Sequence, residues 1–181
     1  MDKKTSQTWL NRLYWVRDIF VGWYFKRMTR DDFKWFAKTP WRMWLFWQLG
    51  MRYIFDEEDY AQSPDETWER RGGDCEDMAW FCRDHLRFLG YEAEMFRAEW
   101  DKPTEQGIKA HIVCIFRPDS NVRTSNYYNG WSYMGTNEYR PGSHDWAEIA
   151  KNIVGNKGLD SYGSVGIECH KIRYISTRFL R

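Results

Sequence analysis

Apolar residues follow a 3.6-residue period in the first half of the chain and a two-residue period in much of the second. From Cys75, residues Met78, Ala79, Cys82, Leu86 and Leu89 recur at helical spacing, and Gly90 stands where a C′ glycine would end that helix. Asp74 is a good N-cap residue, which puts Cys75 in the first turn. Upstream, residues 8–27 carry Trp9, Leu10, Leu13, Val16, Phe20, Trp23 and Tyr24 at helical spacing. Thr29 and Asp32 read as an acidic capping box ahead of Phe33, Trp35 and Phe36. Thr39-Pro40 supplies an N-cap and a first-turn proline for a helix from Trp41 to Leu49, closed by Gly50. Ser63-Pro64-Asp65-Glu66 repeats that grammar for a short helix.

The period then changes. Glu92–Trp100 alternates, with Phe96, Ala98 and Trp100 on one face, and Lys109–Arg117 is the strongest strand signal. Asp101–Gly107 reads as a loop, and Pro118-Asp119-Ser120-Asn121 as a turn. Tyr127–Asn137 predicts a further strand with a kink at Asn129-Gly130, Asp145–Glu148 opens a helix closed by Gly155, and Gly166–Ser176 predicts a last strand. Helices, then strands, then a helix and a strand is the order of an α+β fold, with the Cys75 helix packed on an antiparallel sheet.

Length changes this picture little, since 181 residues suit one domain with a helical extension. We place the extension at 1–52, packed on a core at 53–181. Aromatic content changes it more: 19% of residues are aromatic and 12 are tryptophan, so rings must fill a core or meet something outside it. A net charge of +1 gives no reason to expect nucleic acid. It conceals an asymmetry, with eleven Lys/Arg against four Asp/Glu in residues 1–55 and an acidic stretch after them. Two readings of the N-terminal third follow, a helical layer on the core and an interfacial helix at a membrane surface, and the pattern favours the layer.

Cys75, Cys82, Cys114 and Cys169 show no ligand-pair spacing. On one helix, Cys75 and Cys82 would have Cα atoms about 10 Å apart, too far for a disulfide. Free thiols point to a reducing, cytoplasmic location, in keeping with a charged start and no uncharged run of about 18 residues.

A cysteine at a helix start sees the positive end of the helix dipole, which favours its thiolate. A nucleophile also needs a base, and the base an orienter. His111 stands on the strong strand, directed to the face of Val113 and Ile115, and Asn137 is placed to hold its ring. The Cys75 backbone N–H is one oxyanion donor, and Gln62 or Trp68 is a weaker candidate for the second. Glu76 and Asp77 fit helix stability and loop anchoring. His85 lies too far along its helix to share a metal with Cys75, and Asp74, Glu76 and Asp77 lack the spacing of a calcium loop. No metal and no cofactor is expected.

Gly73-Asp74-Cys75-Glu76-Asp77-Met78-Ala79 resembles the Gly-Asp-Cys-Glu/Asp-Asp-x-Ala signature of the transglutaminase-like superfamily, nearest its small bacterial and phage-type cysteine-peptidase branch. Tyr53-x-x-Asp56, Ser63–Thr67, Leu89-Gly90-Tyr91 and Ala110-His111-Ile112-Val113 are similar to the flanking segments of that family. The resemblance covers residues 53–140. It implies a papain-like core, a Cys–His–Asp triad and acyl transfer through a thioester on a protein or peptide substrate. Cys75 and His111 fall on the motifs. The aspartate does not, because the strand after the histidine reads Trp131-Ser132-Tyr133-Met134-Gly135-Thr136-Asn137. Asn137 can orient an imidazole by hydrogen bond, as in papain-like enzymes, without stabilising its charge. Asn126 and Asn129 are weaker candidates. The reading is a Cys–His–Asn hydrolase or acyltransferase, with a binding-only relative as the alternative.

Overall fold

The structure is a computed structural model and describes residues 21–55, 60–100, 109–118 and 130–179. Residues 8–20 of the first predicted helix, the 101–107 loop, Asp56, Asn126 and Asn129 lie outside the described residues. The chain divides into two compact units, Met1–Arg52 and Tyr53–Arg181.

In the first unit, α1 (residues 21–27), α2 (Arg30–Phe36) and α3 (Pro40–Gly50) follow in close succession. Thr29 caps α2: its hydroxyl accepts the Asp32 N–H at 3.2 Å, and the Asp32 carboxylate accepts the Thr29 N–H at 3.3 Å. At α3 the Thr39 hydroxyl accepts the Arg42 N–H at 3.4 Å, with Pro40 at the first helical position. Buried Phe25, Met28, Phe33, Ala37, Met43 and Phe46 hold the helices together. Phe33 meets Phe46 with ring centroids 4.6 Å apart, and Phe25 meets Phe36 edge-on at 5.0 Å.

The second unit is an antiparallel sheet with a helix on each face. Its elements are α4 (Pro64–Arg70), β2 (Gly72–Gly73), α5 (Cys75–Phe88), β3 (Tyr91–Trp100), β4 (Ala110–Pro118), β5 (Trp131–Met134), β6 (Tyr139–His144), α6 (Trp146–Val154), β7 (Leu159–Glu168), β8 (Lys171–Tyr174) and β9 (Arg178–Phe179). Tyr53 ends β1 (Arg52–Tyr53), which pairs with β2. The main sheet runs β6-β5-β4-β3-β7-β8, with β9 also on β7. Two-residue alternation sorts the strands. Phe96, Ala98, Val113, Ile115, Tyr133 and Tyr162 form the core under α6. Met95 and its partner Cys114 face α5, where the Arg83 guanidinium reaches the Met95 sulfur at 3.6 Å.

Two strands depart from the sequence reading. The predicted strand Gly166–Ser176 is two strands, β7 and β8, joined at Cys169-His170, where both residues have positive φ (50° and 60°). That backbone is the twist-matched two-residue hairpin turn, built here without the Gly or Asn that usually marks it. The strand expected to run to Asn137 stops at Met134, and β6 follows after a tight turn. Pro141 hides β6 in the sequence, and the strand tolerates it because β6 is the sheet edge. Gly163 of β7 lies against the Ser176 carbonyl, where any Cβ would collide.

Candidate functional site

The corner before α5 is built from two capping boxes in tandem. Ser63 caps α4: its hydroxyl accepts from the Glu66 N–H, and the Glu66 carboxylate accepts from the Ser63 N–H at 2.7 Å. Arg71 ends α4 in the left-handed conformation and turns the chain into Gly72–Gly73. Asp74 caps α5, with Asp77 closing the box. Asp77, fully buried, also accepts the Gln62 N–H at 2.6 Å, the Gln62 side-chain amide at 2.7 Å and the Asp74 N–H at 3.1 Å. Its carboxylate lies over Gly73, where a Cβ would collide with it. The lead-in is held from the far side as well, since the Ala61 N–H donates to the His170 carbonyl at 2.9 Å and His170 stacks on Tyr60 at 4.6 Å.

Cys75 is half-buried at the first turn of α5, and its thiol donates to Glu76 Oε2 at 3.2 Å. Its sulfur also receives a hydrogen bond from the Ile112 backbone N–H. Burial, then the Glu76 and Asp74 carboxylates, push the thiol well above its ordinary value, while the Ile112 N–H pulls the other way. The helix dipole alone favours a thiolate, as the sequence reading expected. Here desolvation and two adjacent carboxylates outweigh it, and the group rests as a thiol. Burial and the Glu76 carboxyl likewise push Asp74 up to about 9.

The Ile112 contact places the sulfur on β4. Lys109 accepts the Trp100 N–H, so main-chain groups of odd residues in β4 turn to β3 and those of even residues turn to the β5 side. Pairing with β5 runs from Phe116 to Cys114. The sulfur takes the N–H of Ile112, the next even position along that edge. His111 is the adjacent residue. It pairs with Ala98, and its ring lies on the face of Val113, as the alternation predicts, with Nε2 3.4 Å from where a Gly135 Cβ would stand. Burial, then the Lys157 ammonium, hold its pKa down at about 4, so the imidazole is neutral and able to accept a proton.

The other predicted residues are distributed as follows. Asn137 is exposed in the two-residue turn between Gly135 and Glu138, whose main chains bond at 2.8 Å and 3.4 Å. Gln62 is buried and spends a side-chain N–H on Asp77. Trp68 is buried against Phe81 (centroids 6.4 Å), with the Arg71 guanidinium 3.9 Å over its ring. Sequence reasoning left out Tyr53. Burial, then Cys75 and the three neighbouring carboxylates, push its phenol up to about 12, so it stands as a neutral donor beside the acidic corner. Its only signal in the sequence is its place in the lead-in. Lys157 acts on His111 across the fold and has no sequence signal at all. Asp74, Cys75 and Glu76 bring ligand atoms within 4.8 Å of one another, a grouping able to hold a metal ion that the sequence spacing did not suggest.

No family model matches the chain, and no curated protein matches it. Among solved structures it is similar to calcium-bound Legionella pneumophila LapG (TM-score 0.47, 17% identity, covering 75% of this chain and 67% of that one). The same organism's LapG in a second structure gives a TM-score of 0.46 at 16% identity, over 75% and 67% of the two chains. EGTA-treated LapG gives 0.45 at 20% identity, over 78% and 68%. The class defined by the chain's own elements is α+β, a helix carrying Cys75 packed on an antiparallel sheet.

Proposed function

We propose that this chain is a transglutaminase-like cysteine hydrolase or acyltransferase acting on a peptide or amide bond of a protein substrate. The observation that supports it is Cys75 at the first turn of α5 with the Ile112 N–H of β4 acting on its sulfur, one residue along the strand from the neutral, half-buried His111. In this reading the thiol proton passes to His111, and the sulfur attacks the carbonyl carbon. The resulting oxyanion is held by the Cys75 N–H, which has no partner within the helix at this first-turn position. The leaving amine takes the proton from His111, and water or an amine then resolves the thioester. Asn137 is the orienter in this reading: it stands in the turn that begins at Gly135, whose Cβ position would lie 3.4 Å from His111 Nε2. Gln62 is the weaker second oxyanion donor, because Asp77 already holds its amide, and Trp68 is weaker still.

A second reading is favoured by the crowding of carboxylates. Asp74 is pushed up by burial first, then by its hydrogen bond to Glu76 and the charges of Glu76 and Asp77, and a divalent cation would relieve the repulsive part as a proton does. Asp74 and Glu76 would supply its hard oxygen ligands, of the kind calcium takes.

The test uses the full chain with a peptide thioester or activated amide and intact-mass detection of acylated Cys75. Acyl adduct and amine release in the wild type, both lost in Cys75→Ala, are expected. Amine release that survives in Cys75→Ala would overturn the reading. Peptide binding with no adduct would leave the binding-module alternative.

A further inference from the structure

The helices of residues 21–52 bury one set of aromatic residues and present another. Trp23 and Tyr24 on α1 are each 54% exposed, Trp35 on α2 is 69% exposed and Trp41 at the start of α3 is 49% exposed. Single exposed rings are unremarkable on a soluble protein, but four on consecutive short helices are a pattern. They sit among basic residues, with seven Lys/Arg in this stretch against Asp31 and Asp32. None of the helices of the described residues is long and apolar enough to cross a membrane.

We infer that this helical unit docks peripherally on an anionic lipid surface, its Trp and Tyr rings at headgroup level and its Lys/Arg against the lipid charge. Exposed Trp and Tyr beside cationic residues on short helices is the chemistry of an interfacial anchor. Ring geometry argues for lipid over nucleic acid, the other polyanion that aromatic and basic residues can bind. Base stacking needs open ring faces. Here the Arg27 guanidinium lies 4.4 Å over Trp23, the Lys38 ammonium lies 5.8 Å over Trp35, and Trp41 is stacked on Trp44 at 5.1 Å. Each of these three tryptophan rings already has a cation or another ring on one face. At a bilayer interface that pairing places apolar ring and positive charge at the same depth, beside acyl chain and phosphate.

The experiment is cosedimentation of the full chain with phosphatidylserine-containing and phosphatidylcholine-only vesicles, at low and high salt. Salt-sensitive pelleting with the anionic vesicles alone is expected. Removing one charge, as in Lys38→Gln, lowers partitioning about fivefold, the equivalent of one basic residue at an anionic surface. The combined Trp23→Ala, Trp35→Ala and Trp41→Ala variant loses it, with an unchanged thermal unfolding midpoint because these side chains lie outside the core. If that variant does not fold, the salt and lipid dependence of the wild type decides alone. No pelleting with anionic vesicles, pelleting indifferent to lipid charge, or single-stranded oligonucleotide displacing the vesicles would each overturn the assignment.

Discussion

The Cys75 thiol donates to Glu76 Oε2 at 3.2 Å, so the candidate nucleophile is hydrogen-bonded to the carboxylate next to it in the sequence. Burial first and the Glu76 carboxylate second hold the sulfur in its protonated form, against the helix dipole. In Glu76→Gln that charge is gone and the thiol pKa falls. The pH profile of Cys75 alkylation by iodoacetamide, followed on the Cys75 peptide by mass spectrometry, moves to lower pH. An unmoved profile would mean that burial alone sets the thiol.

Asp77 is the structural centre of the corner. Asp77→Ala leaves the Gln62 N–H, the Gln62 amide and the Asp74 N–H without their acceptor in a buried site. Each unsatisfied donor costs about 1–3 kcal/mol, so urea unfolding should register a loss of roughly 3 kcal/mol or more. Breaking the half-exposed pair of Arg117 and Glu92 (2.6 Å) costs under about 1 kcal/mol by the same measurement. Equal losses for the two variants would contradict the network.

Asp74 makes stability depend on pH. Its carboxyl keeps a proton to about 9 in the folded chain, whereas an unfolded aspartate gives it up near 3.9. Between those values the folded state binds more protons than the unfolded state, so stability falls as pH rises. Asp74→Asn keeps an N-cap acceptor and removes that slope. Its Tm should exceed the wild-type value at pH 8 by on the order of a few degrees, with a smaller gain near pH 5. A wild-type Tm that rises across this range would refute the assignment.

Lys157 tunes the candidate base. Its ammonium is the second cause, after burial, of the low His111 pKa. Replacing it in Lys157→Met removes a cation that opposes imidazolium, so the His111 pKa rises. An NMR titration of the His111 ring proton reads that shift directly and needs no substrate. A rate profile that then loses activity at a higher pH than in wild type links the ring to the chemistry.

The parts of this protein legible in the sequence are those governed by neighbours in the chain. The capping boxes of Thr29, Ser63 and Asp74 are three-residue events, and each forms as its residue types imply. The α5 stripe and the alternation in β3 and β4 reflect the helix and strand periods, so the layer order and the position of Cys75 could be read directly. The β7–β8 turn could not, because Cys169 and His170 are ordinary residues in a backbone shape usually marked by Gly or Asn. Nor could β6, because only its place at the sheet edge makes room for Pro141.

The state of Cys75 also lay beyond the sequence. Its position at a helix start promised an activated thiol, and the chain determines that position by local rules. The charge on the sulfur is decided by what the fold packs around it: a desolvated site, two carboxylates and the Ile112 N–H of a strand far along the chain. A helix dipole acts within one turn, whereas desolvation depends on every element that closes over the site. Sequence determined where the cysteine stands, and tertiary structure decided that it rests protonated.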